Sequence, residues 1–246
     1  MKALQISRFG APTDVVELAE VDPADPGSGR LAVSIEAAPI NPSDLNLIRG
    51  IYGVRPDLPA ALGAEGVGRV IAVGEGVDRS RIGTRVLIVP TLEHATWRQQ
   101  AVLEERNAVP VEVDGDPLQL AMLGINPMTA YCLLHGYVKL ARGAWVAQTG
   151  ASSATAGYVL ALAKNAGLRT LNVVRRAESV KPLLDAGADV VLVEGADLTE
   201  QANDAIGDAP IEVILDAVAG EPVAQLASLL KIGAQIISYT ARARLP

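Results

Sequence analysis

The sequence predicts an α/β protein in which a β-rich N-terminal domain precedes a doubly wound parallel sheet of the Rossmann type. Three observations support this fold class. Short β-branched runs separated by Gly, Pro and Asp fill residues 1–113, a strand–turn–helix–strand unit occupies residues 144–176, and strands and helices continue to alternate after it. We therefore predict domains at residues 1–114 and 115–246, with linker helices at residues 117–140.

The N-terminal domain is predicted from apolar runs that are bounded by turn-forming residues. Turns rich in Gly, Pro and Asp lie at residues 22–29 and 74–83. From residue 117 the apolar residues recur at helical spacing, and Asn126-Pro127 interrupts them, so we expect two helices that meet at a bend. The predicted strands lie at residues 3–6, 31–35, 67–73 and 85–89.

The C-terminal domain is organised around the unit at residues 144–176. An apolar run leads into a turn of small residues at 149–157 and then into a helix that Gly167 ends, before a second apolar run. The right-handed crossover of such a unit makes its two strands parallel. We predict strands at residues 145–147, 171–174, 189–193 (buried), 211–217 and 234–239, with later helices at 179–186, 198–206 and 222–230.

The turn at residues 149–157 has the character of a diphosphate-binding turn. Small residues let a diphosphate approach the backbone, where a helix N-terminus offers free N–H groups and partial positive charge. The glycine pattern is imperfect, because Gly150 is followed by Ser153 and Ala156, with Gly157 one place late. An ordinary small-residue turn with serine N-caps fits the same letters. The candidate cofactor contacts are Gly150, Ser152, Ser153, Ala154 and Thr155.

The second strand of the unit ends in Arg175-Arg176. An NAD-preferring site places Asp or Glu at this point to bind the ribose 2′-hydroxyl, whereas guanidinium groups suit a 2′-phosphate. We therefore predict NADPH as the cofactor and both arginines as contacts. The alternative is a solvated strand end without a ligand.

Composition excludes several other classes of protein. A formal net charge of −7 argues against a nucleic-acid or membrane-surface partner, and no run of eighteen apolar residues is present. The first ten residues lack the apolar segment of a signal peptide. The single cysteine, Cys132, fits a reducing compartment, and its apolar neighbours suggest a core position. We expect a soluble, cytoplasmic protein.

The sequence ends shortly after the fifth predicted strand, with the polar residues 241–246. A complete dinucleotide-binding sheet has a sixth strand. We therefore expect a C-terminally truncated Rossmann domain and an exposed edge on the last strand.

Several motifs resemble the medium-chain dehydrogenase/reductase superfamily. The resemblance covers the chain to about residue 239 and is strongest to its NADPH-dependent 2-enoyl thioester reductases of fatty-acid metabolism, which are related to quinone oxidoreductases. In that family serine replaces the middle glycine of the cofactor turn, as Ser153 does. The segments that carry the resemblance are NPSDLNLIRGIY at 41–52, AEGVGRV at 64–70, TWR at 96–98, LGINPMTAY at 123–131 and LNVVR at 171–175.

The resemblance implies a GroES-like first domain, a Rossmann second domain and roles for five further residues. Tyr52 matches the family's proton-donating tyrosine, and Trp97 matches a residue of the acyl pocket. Asn126, Thr129 and Tyr239 match positions near the nicotinamide half of the cofactor. The alternative for each is structural: a loop aromatic, a core tryptophan, a helix-break Asn, a mid-helix Thr and a strand-end Tyr.

The chain departs from the family in two places. Ala156 stands where family members have glycine, and its methyl group is expected near the diphosphate, where it would weaken binding. Family members also continue past the fifth strand with segments of the dimer interface and of the first domain. We therefore expect a homodimer only with those segments, and weak activity from the 246 residues alone.

The first functional hypothesis is an NADPH-dependent reductase of the α,β double bond of an enoyl thioester, carried by coenzyme A or acyl carrier protein. Hydride goes to the β carbon, and Tyr52 supplies the proton, since a phenol keeps its proton at neutral pH. One rival is an NADPH:quinone oxidoreductase of the same superfamily, against which Asn126-Pro127, Trp97 and Ser153 argue. The other rival is a degenerate, non-catalytic NADPH-binding protein.

The chain is predicted to bind no zinc, although many proteins of this superfamily do. Gly63, Ala64 and Glu65 align with the family's Gly-His-Glu motif, so alanine replaces the histidine ligand. Ser43 occupies the loop that would carry a cysteine ligand. His94, His135 and Cys132 have no ligand spacing among them. Elemental analysis of protein purified without chelator should find no stoichiometric zinc. About one equivalent per chain would contradict the prediction.

Overall fold

The computed structural model describes residues 1–91 and 95–239, which form two units, Met1–Ile125 and the residues from Asn126 onward. His94 and the polar tail at 241–246 lie outside the described residues. The domain bounds 1–114 and 115–246 stay a prediction.

Outside residues 92–94, the first unit consists of two antiparallel sheets and three short α-helices, as the turn-separated apolar runs predict. One sheet has the order β2-β1-β4 and the other the order β7-β3-β5-β6-β8. The elements are β1 Lys2–Ile6, α1 Pro12–Val15, β2 Val16–Glu20, β3 Arg30–Ala37, α2 Pro42–Arg49, β4 Ala60–Ala61, β5 Gly66–Val73, β6 Arg85–Ile88, β7 Gln100–Glu104, β8 Ala108–Pro110 and α3 Pro117–Leu120.

Alternation along the strands builds the core of this unit. In β7, for example, Ala101 and Leu103 are buried while their neighbours are half-buried, because successive side chains point to opposite faces of a sheet. Val67 of β5 packs against Leu120 of α3, so this short helix belongs to the first unit. The larger core cluster consists of Leu31, Val33, Val70, Val86, Ile88, Ala101, Leu103 and Ala108.

The second unit begins with helix α4, Asn126–His135, and contains the predicted parallel sheet with helices on both faces. The fold class is therefore confirmed. The remaining elements are β9 Trp145–Gln148, α5 Ala154–Ala166, β10 Arg169–Val174, α6 Val180–Asp185, β11 Val190–Val193, α7 Leu198–Ile206, β12 Ile211–Asp216, α8 Glu221–Ala227 and β13 Leu230–Ser238.

The sheet order is β11-β10-β9-β12-β13, with every pair parallel. The chain therefore moves outward from β9 to β11 on one side and then from β12 to β13 on the other. This reversal places the order-switching point between β9 and β12, beside the turn that follows β9. Ligands of open α/β sheets bind outside the carboxyl ends of the strands at such a point.

Alternate side chains of the central strands fill two separate cores. Trp145 and Ala147 of β9 pack on the face covered by α7 and α8, whereas Val146 packs on the face covered by α4 and α5. Both faces are covered, so the central strands are mostly apolar. Their buried polar residues satisfy one another: Gln148 Nε2 donates to Asn172 Oδ1 at 2.6 Å, and Asn172 Nδ2 donates to Thr170 Oγ1 at 3.1 Å.

Four local predictions need correction. The two predicted helices are present as α3 and α4, but Asn126-Pro127 begins α4 and is not the break between them, because proline is tolerated in the first helical turn, where an N–H has no intrahelical partner. Strand β11 is half-buried, because it lies at the sheet edge. Strand β13 begins at Leu230, within the segment predicted as helix. Cys132 is exposed, because it faces away from the buried side of α4 formed by Ala130, Leu133 and Leu134.

Gly63 permits a close approach of two backbone segments in the first unit. Its φ is 94°, and a Cβ there would lie 2.7 Å from the backbone N of Trp97 and also against the indole Cδ1. Gly83 has a similar φ of 88°, but no atom lies within 4 Å of the corresponding Cβ position.

We predict that Gly63→Ala destabilises the fold more than Gly83→Ala does. The left-handed conformation costs either alanine roughly 1–2 kcal/mol, and the steric overlap at residue 63 adds about 1–3 kcal/mol. Urea unfolding of both variants gives the comparison. Equal losses would show that backbone conformation alone requires the glycine at 63.

Candidate functional site

The turn after β9 holds its backbone in a shape that requires glycine. Gly150 has a φ of 60°, and a Cβ added there would lie 3.2 Å from Val218 Cγ2 and 3.3 Å from Ala217 Cβ. The first half of the turn therefore packs closely against the loop that follows β12. The positive φ and this contact explain the glycine, while the N–H groups at the start of the following helix are the part of the turn that suits a diphosphate.

Helix α5 begins where the second half of the turn ends. The Ser153 side chain caps it by accepting a hydrogen bond from the N–H of Ala156 at 3.3 Å. The N–H of Ala151 donates to the carbonyl of Val173 at 3.0 Å, so this half of the turn is tied to β10. Ser152 and Ala154 are exposed beside it. The structure thus brings the predicted turn residues together at the start of a 13-residue helix.

Ala156 does not point toward a ligand as the sequence suggested. Its side chain is completely buried, and its carbonyl accepts a hydrogen bond from Gln148 Nε2 of β9 at 3.3 Å. In turns of this kind the third glycine allows close packing of the helix on the sheet. Its methyl group therefore belongs to the helix–sheet contact, and the effect of Ala156 on diphosphate binding stays a prediction.

Asp216, at the end of β12, is the centre of the polar contacts at this edge of the sheet. It is only 1% exposed. Its Oδ1 accepts hydrogen bonds from Thr149 Oγ1 at 2.7 Å, from the N–H of Val218 at 3.1 Å and from the N–H of Ala219 at 3.0 Å. Its Oδ2 accepts one from Ser238 Oγ at 2.9 Å. One carboxylate therefore joins the ends of β9, β12 and β13.

The ionisation of Asp216 follows from these bonds. Burial opposes the charged form, but the donors from Thr149, Ala219, Val218 and Ser238 outweigh burial and lower the pKa of the carboxyl below its ordinary value. The bond to Ala219 also holds that residue at a φ of 62°, a conformation that costs a non-glycine residue roughly 1–2 kcal/mol. Sequence reasoning missed Asp216, although an acid at the end of an apolar strand was a usable signal.

Asn126 and Thr155, both predicted cofactor residues, are direct neighbours in the structure. Thr155 Oγ1 donates a hydrogen bond to Asn126 Oδ1 at 2.7 Å, which joins the first residue of α4 to the first turn of α5. Thr129 is half-buried one helical turn further along α4. This contact fixes the Asn126 amide, so that its nitrogen stays available as a donor.

Tyr239 follows β13 and places a buried hydroxyl near the cofactor turn. Its backbone N–H donates to the Asp216 carbonyl at 3.1 Å. Among the described residues its hydroxyl has no hydrogen-bond partner in good geometry. Burial raises the pKa of the Tyr239 phenol, while the neighbouring Ser153 side chain acts in the opposite direction. An unsatisfied buried hydroxyl beside the turn is a feature that a polar ligand would satisfy.

Arg175 and Arg176 are exposed just beyond β10. Arg176 Nε lies 3.3 Å from Glu178 Oε1, an ion pair whose two side chains are both mostly exposed. Such surface pairs contribute little to stability, so Arg176 can exchange this partner for a phosphate. The neighbouring strand β9 carries the candidate diphosphate turn, and in dinucleotide-binding folds the contacts to the adenosine ribose follow the strand next to that turn.

Tyr52 lies in the first unit, in the loop between α2 and β4. Gly50 ends α2 with a φ of 73°, and Arg55 Nε donates to the Gly50 carbonyl at 2.8 Å. The Arg55 guanidinium also lies 5.3 Å from the centre of the Phe9 ring. These contacts hold the loop at both ends, while Tyr52 itself is 43% exposed and thus accessible to a substrate.

Trp97 is half-buried and packs with Ile6, Ile48 and Leu62 in a second core cluster of the first unit. Its indole N–H donates to the Pro39 carbonyl at 2.9 Å. These contacts give Trp97 a structural role in the core, and its place in a substrate pocket stays a prediction.

A cavity of about 510 Å³ lies in the first unit near the base of the Tyr52 loop. Its walls include Arg55, Asp57 and Arg98 but neither Tyr52 nor Trp97. Burial lowers the pKa of the Arg98 guanidinium. The cavity is therefore distinct from the residues that the sequence singled out.

Two acids in the first unit, Glu65 and Asp44, are buried, and the sequence indicated no site role for either. Glu65 is 1% exposed and accepts hydrogen bonds from Asn41 Nδ2 and from the N–H of Ile125, both at 2.8 Å. Asp44 accepts one from the backbone N–H of Asn41 at 2.7 Å. Burial raises the pKa of both carboxyls, and for Glu65 it outweighs these donors. Glu65 thus holds the segment that leads into Asn126 by hydrogen bonds.

In residues 1–91 and 95–239, no three His, Cys, Asp or Glu side chains are grouped so that they could hold a metal ion. Because His94 is outside this range, the absence of zinc stays a prediction that elemental analysis tests. Within the same range, no helix combines the length and apolarity needed to cross a membrane.

Comparison with known proteins identifies the family. The alcohol dehydrogenase GroES-like domain matches residues 27–142. The mitochondrial enoyl-[acyl-carrier-protein] reductase of Rattus norvegicus is 35% identical over all of this chain and 67% of its own length. The chain belongs to the enoyl thioester reductases of the medium-chain dehydrogenase/reductase superfamily.

Two solved structures are similar over nearly the whole chain. Etr1p, a mitochondrial 2-enoyl thioester reductase of Candida tropicalis, in its complex with NADP and crotonyl-CoA, aligns with a TM-score of 0.86 and 25% identity over 100% of this chain and 76% of that one. A Bacillus thuringiensis protein named for NADPH:quinone reductase activity aligns with a TM-score of 0.86 and 28% identity over 96% and 71%.

We predict that the chain binds NADPH more tightly than NADH and that Arg175→Ala/Arg176→Ala removes most of this preference. Charged hydrogen bonds to a phosphate contribute roughly 1.5–3 kcal/mol each, so NADPH affinity should fall at least tenfold while NADH affinity stays nearly constant. Calorimetric titration with both cofactors measures the effect. Arg79→Ala/Arg106→Ala, which removes two exposed arginines of the first unit, is the charge-matched control. Equal affinity of the parent chain for the two cofactors would refute the prediction.

Proposed function

We propose that this chain is an NADPH-dependent oxidoreductase that reduces the α,β double bond of 2-enoyl thioesters. The observation that carries the proposal is its 35% identity, over its whole length, to an enoyl-[acyl-carrier-protein] reductase. The similar structure that contains NADP and crotonyl-CoA supports the same cofactor and substrate class.

The residues at the carboxyl edge of the sheet fit the proposed cofactor. The start of α5, which follows the tight turn at Gly150, suits its diphosphate, and Arg175 with Arg176 suits its 2′-phosphate. The unsatisfied Tyr239 hydroxyl and the hydrogen-bonded pair Asn126 and Thr155 suit the nicotinamide half of the cofactor. When bound, NADPH supplies the hydride that the β carbon of the substrate accepts.

Tyr52 is proposed as the proton donor to the α carbon. Its hydroxyl is accessible, and its loop is held by the hydrogen bond from Arg55 to the Gly50 carbonyl. A fixed phenol can hydrogen-bond to the thioester oxygen, where negative charge develops, and then supply the proton. Trp97 is proposed to border the acyl group.

Quinone reduction is the second candidate activity, because the Bacillus thuringiensis neighbour is named for it. Assays that follow NADPH oxidation with crotonyl-CoA and, separately, with a benzoquinone decide between the two. Turnover of the quinone alone would favour the second candidate. A chain that binds NADPH but turns over neither would support the non-catalytic hypothesis.

We further propose a carrier-bound acyl thioester as the substrate, association into a homodimer and a cytoplasmic location. The naming of the Candida tropicalis reductase as a heterodimer supports association of related chains. The location rests on the single cysteine, whereas the curated relatives are named as mitochondrial, so cell fractionation is the test. Sedimentation velocity tests the assembly.

We predict that Tyr52→Phe lowers kcat for crotonyl-CoA by about 10²–10⁴-fold, the usual contribution of a general acid. The substitution keeps the ring and removes only the hydroxyl, so NADPH affinity should stay within about twofold of the parent. Single-turnover NADPH oxidation, followed by absorbance, measures the chemical step.

Tyr137→Phe is the matched control, since Tyr137 is exposed and lies in the second unit after α4. It should leave kcat unchanged. A Tyr52→Phe chain that reduces crotonyl-CoA at the parent rate would exclude Tyr52 as the proton donor.

A further inference from the structure

Two independent sets of contacts hold the two sides of the cofactor turn. On the side of β10, the N–H of Ala151 donates to the Val173 carbonyl at 3.0 Å. On the side of β12, Thr149 Oγ1 donates to Asp216 and accepts from the N–H of Ala217 at 2.9 Å. The two sides of the turn therefore depend on different strands.

The strand order assigns these sides to different halves of a dinucleotide. Arg175, the candidate 2′-phosphate contact, follows β10, which is the neighbour of β9 away from β12. With the diphosphate at the turn and the adenosine half toward β10, the nicotinamide half extends toward β12 and β13. The contacts of Asp216 all lie on this second side.

We propose that Asp216 is a positioning residue for the nicotinamide side of the dinucleotide site, an inference that rests on the proposed function. Its Oδ1 fixes Thr149, next to Gly150, and the loop at residues 217–219. Its Oδ2 fixes Ser238, which precedes Tyr239. Without the carboxylate, the wall that these segments form loses its common anchor.

Each contact that Asp216 makes has a consequence for the site. Gly150 packs against Val218 and Ala217, so a shift of the loop changes the shape of the turn. Tyr239 donates its N–H to the carbonyl of Asp216 itself, so the same residue sets the position of the unsatisfied hydroxyl. Asp216 is buried, and its role is to hold the residues that touch the ligand.

The test compares two probes, NADPH and adenosine 2′,5′-bisphosphate, by calorimetric titration. Asp216→Asn keeps one acceptor oxygen but replaces the other with a donor, so NADPH affinity should fall about tenfold, the scale of one lost charged hydrogen bond. Affinity for the bisphosphate should change less than about threefold. Asp216→Ala should show the same pattern with a larger loss for NADPH.

Asp189→Asn is the matched control, because Asp189 accepts a hydrogen bond from the N–H of Thr170 at 2.8 Å at the opposite, amino-terminal edge of the same sheet. It should leave both affinities unchanged. Ser238→Ala removes only the bond to Oδ2 and should weaken NADPH binding slightly but measurably. This variant gives the answer if substitution of Asp216 prevents folding.

Unchanged NADPH affinity in the folded Asp216 and Ser238 variants, or an equal loss for both probes, would overturn the role of Asp216 and leave the proposed function intact. Failure of the parent chain to bind NADPH would overturn the proposed function and this inference together. A loss confined to NADPH, absent from Asp189→Asn, supports the inference.

Discussion

The second unit depends on how one buried carboxylate at the carboxyl edge of its sheet is satisfied. A buried charge without partners is strongly unfavourable. Asp216 avoids this cost by accepting four hydrogen bonds, from Thr149, Val218, Ala219 and Ser238. Because those donors come from the ends of three strands, satisfying the charge also fixes the relative positions of those ends. The hydrogen bonds that stabilise the buried charge therefore also set the geometry of the candidate site.

The candidate cofactor site lies at this edge for a topological reason. The strand order reverses direction between β9 and β12, and ligands of open α/β sheets bind outside the carboxyl ends of the strands at such a point. The glycine turn, the α5 N-terminus and Tyr239, the residue after β13, all lie at this edge of the sheet. Arg175, beyond β10, lies one strand further along the same edge.

The first unit also contains buried carboxyl groups, but their pKa is raised, whereas that of Asp216 is lowered. Glu65 and Asp44 are buried acids without an ion-pair partner among the described residues. Burial disfavours the charged form and raises the pKa of each carboxyl. Their hydrogen bonds hold the start of α2 and the segment before Asn126. The accessible Tyr52 loop follows α2 and is stabilised by the separate contact between Arg55 and the carbonyl of Gly50.

Features that depend on neighbours along the chain could be predicted without the fold. Apolar periodicity predicted the strands and helices, and Gly167 predicted the end of α5. The small-residue turn and Arg175-Arg176 indicated the edge of the sheet at which the candidate cofactor site lies. Contacts between distant residues could be read only from the folded chain. Asp216 bonds Thr149, 67 residues away, and Cys132 proved exposed because its helix buries another face. Local patterns record backbone preferences and amphipathic faces, whereas strand order and buried hydrogen bonds arise when the assembled chain must satisfy every polar group that it removes from water.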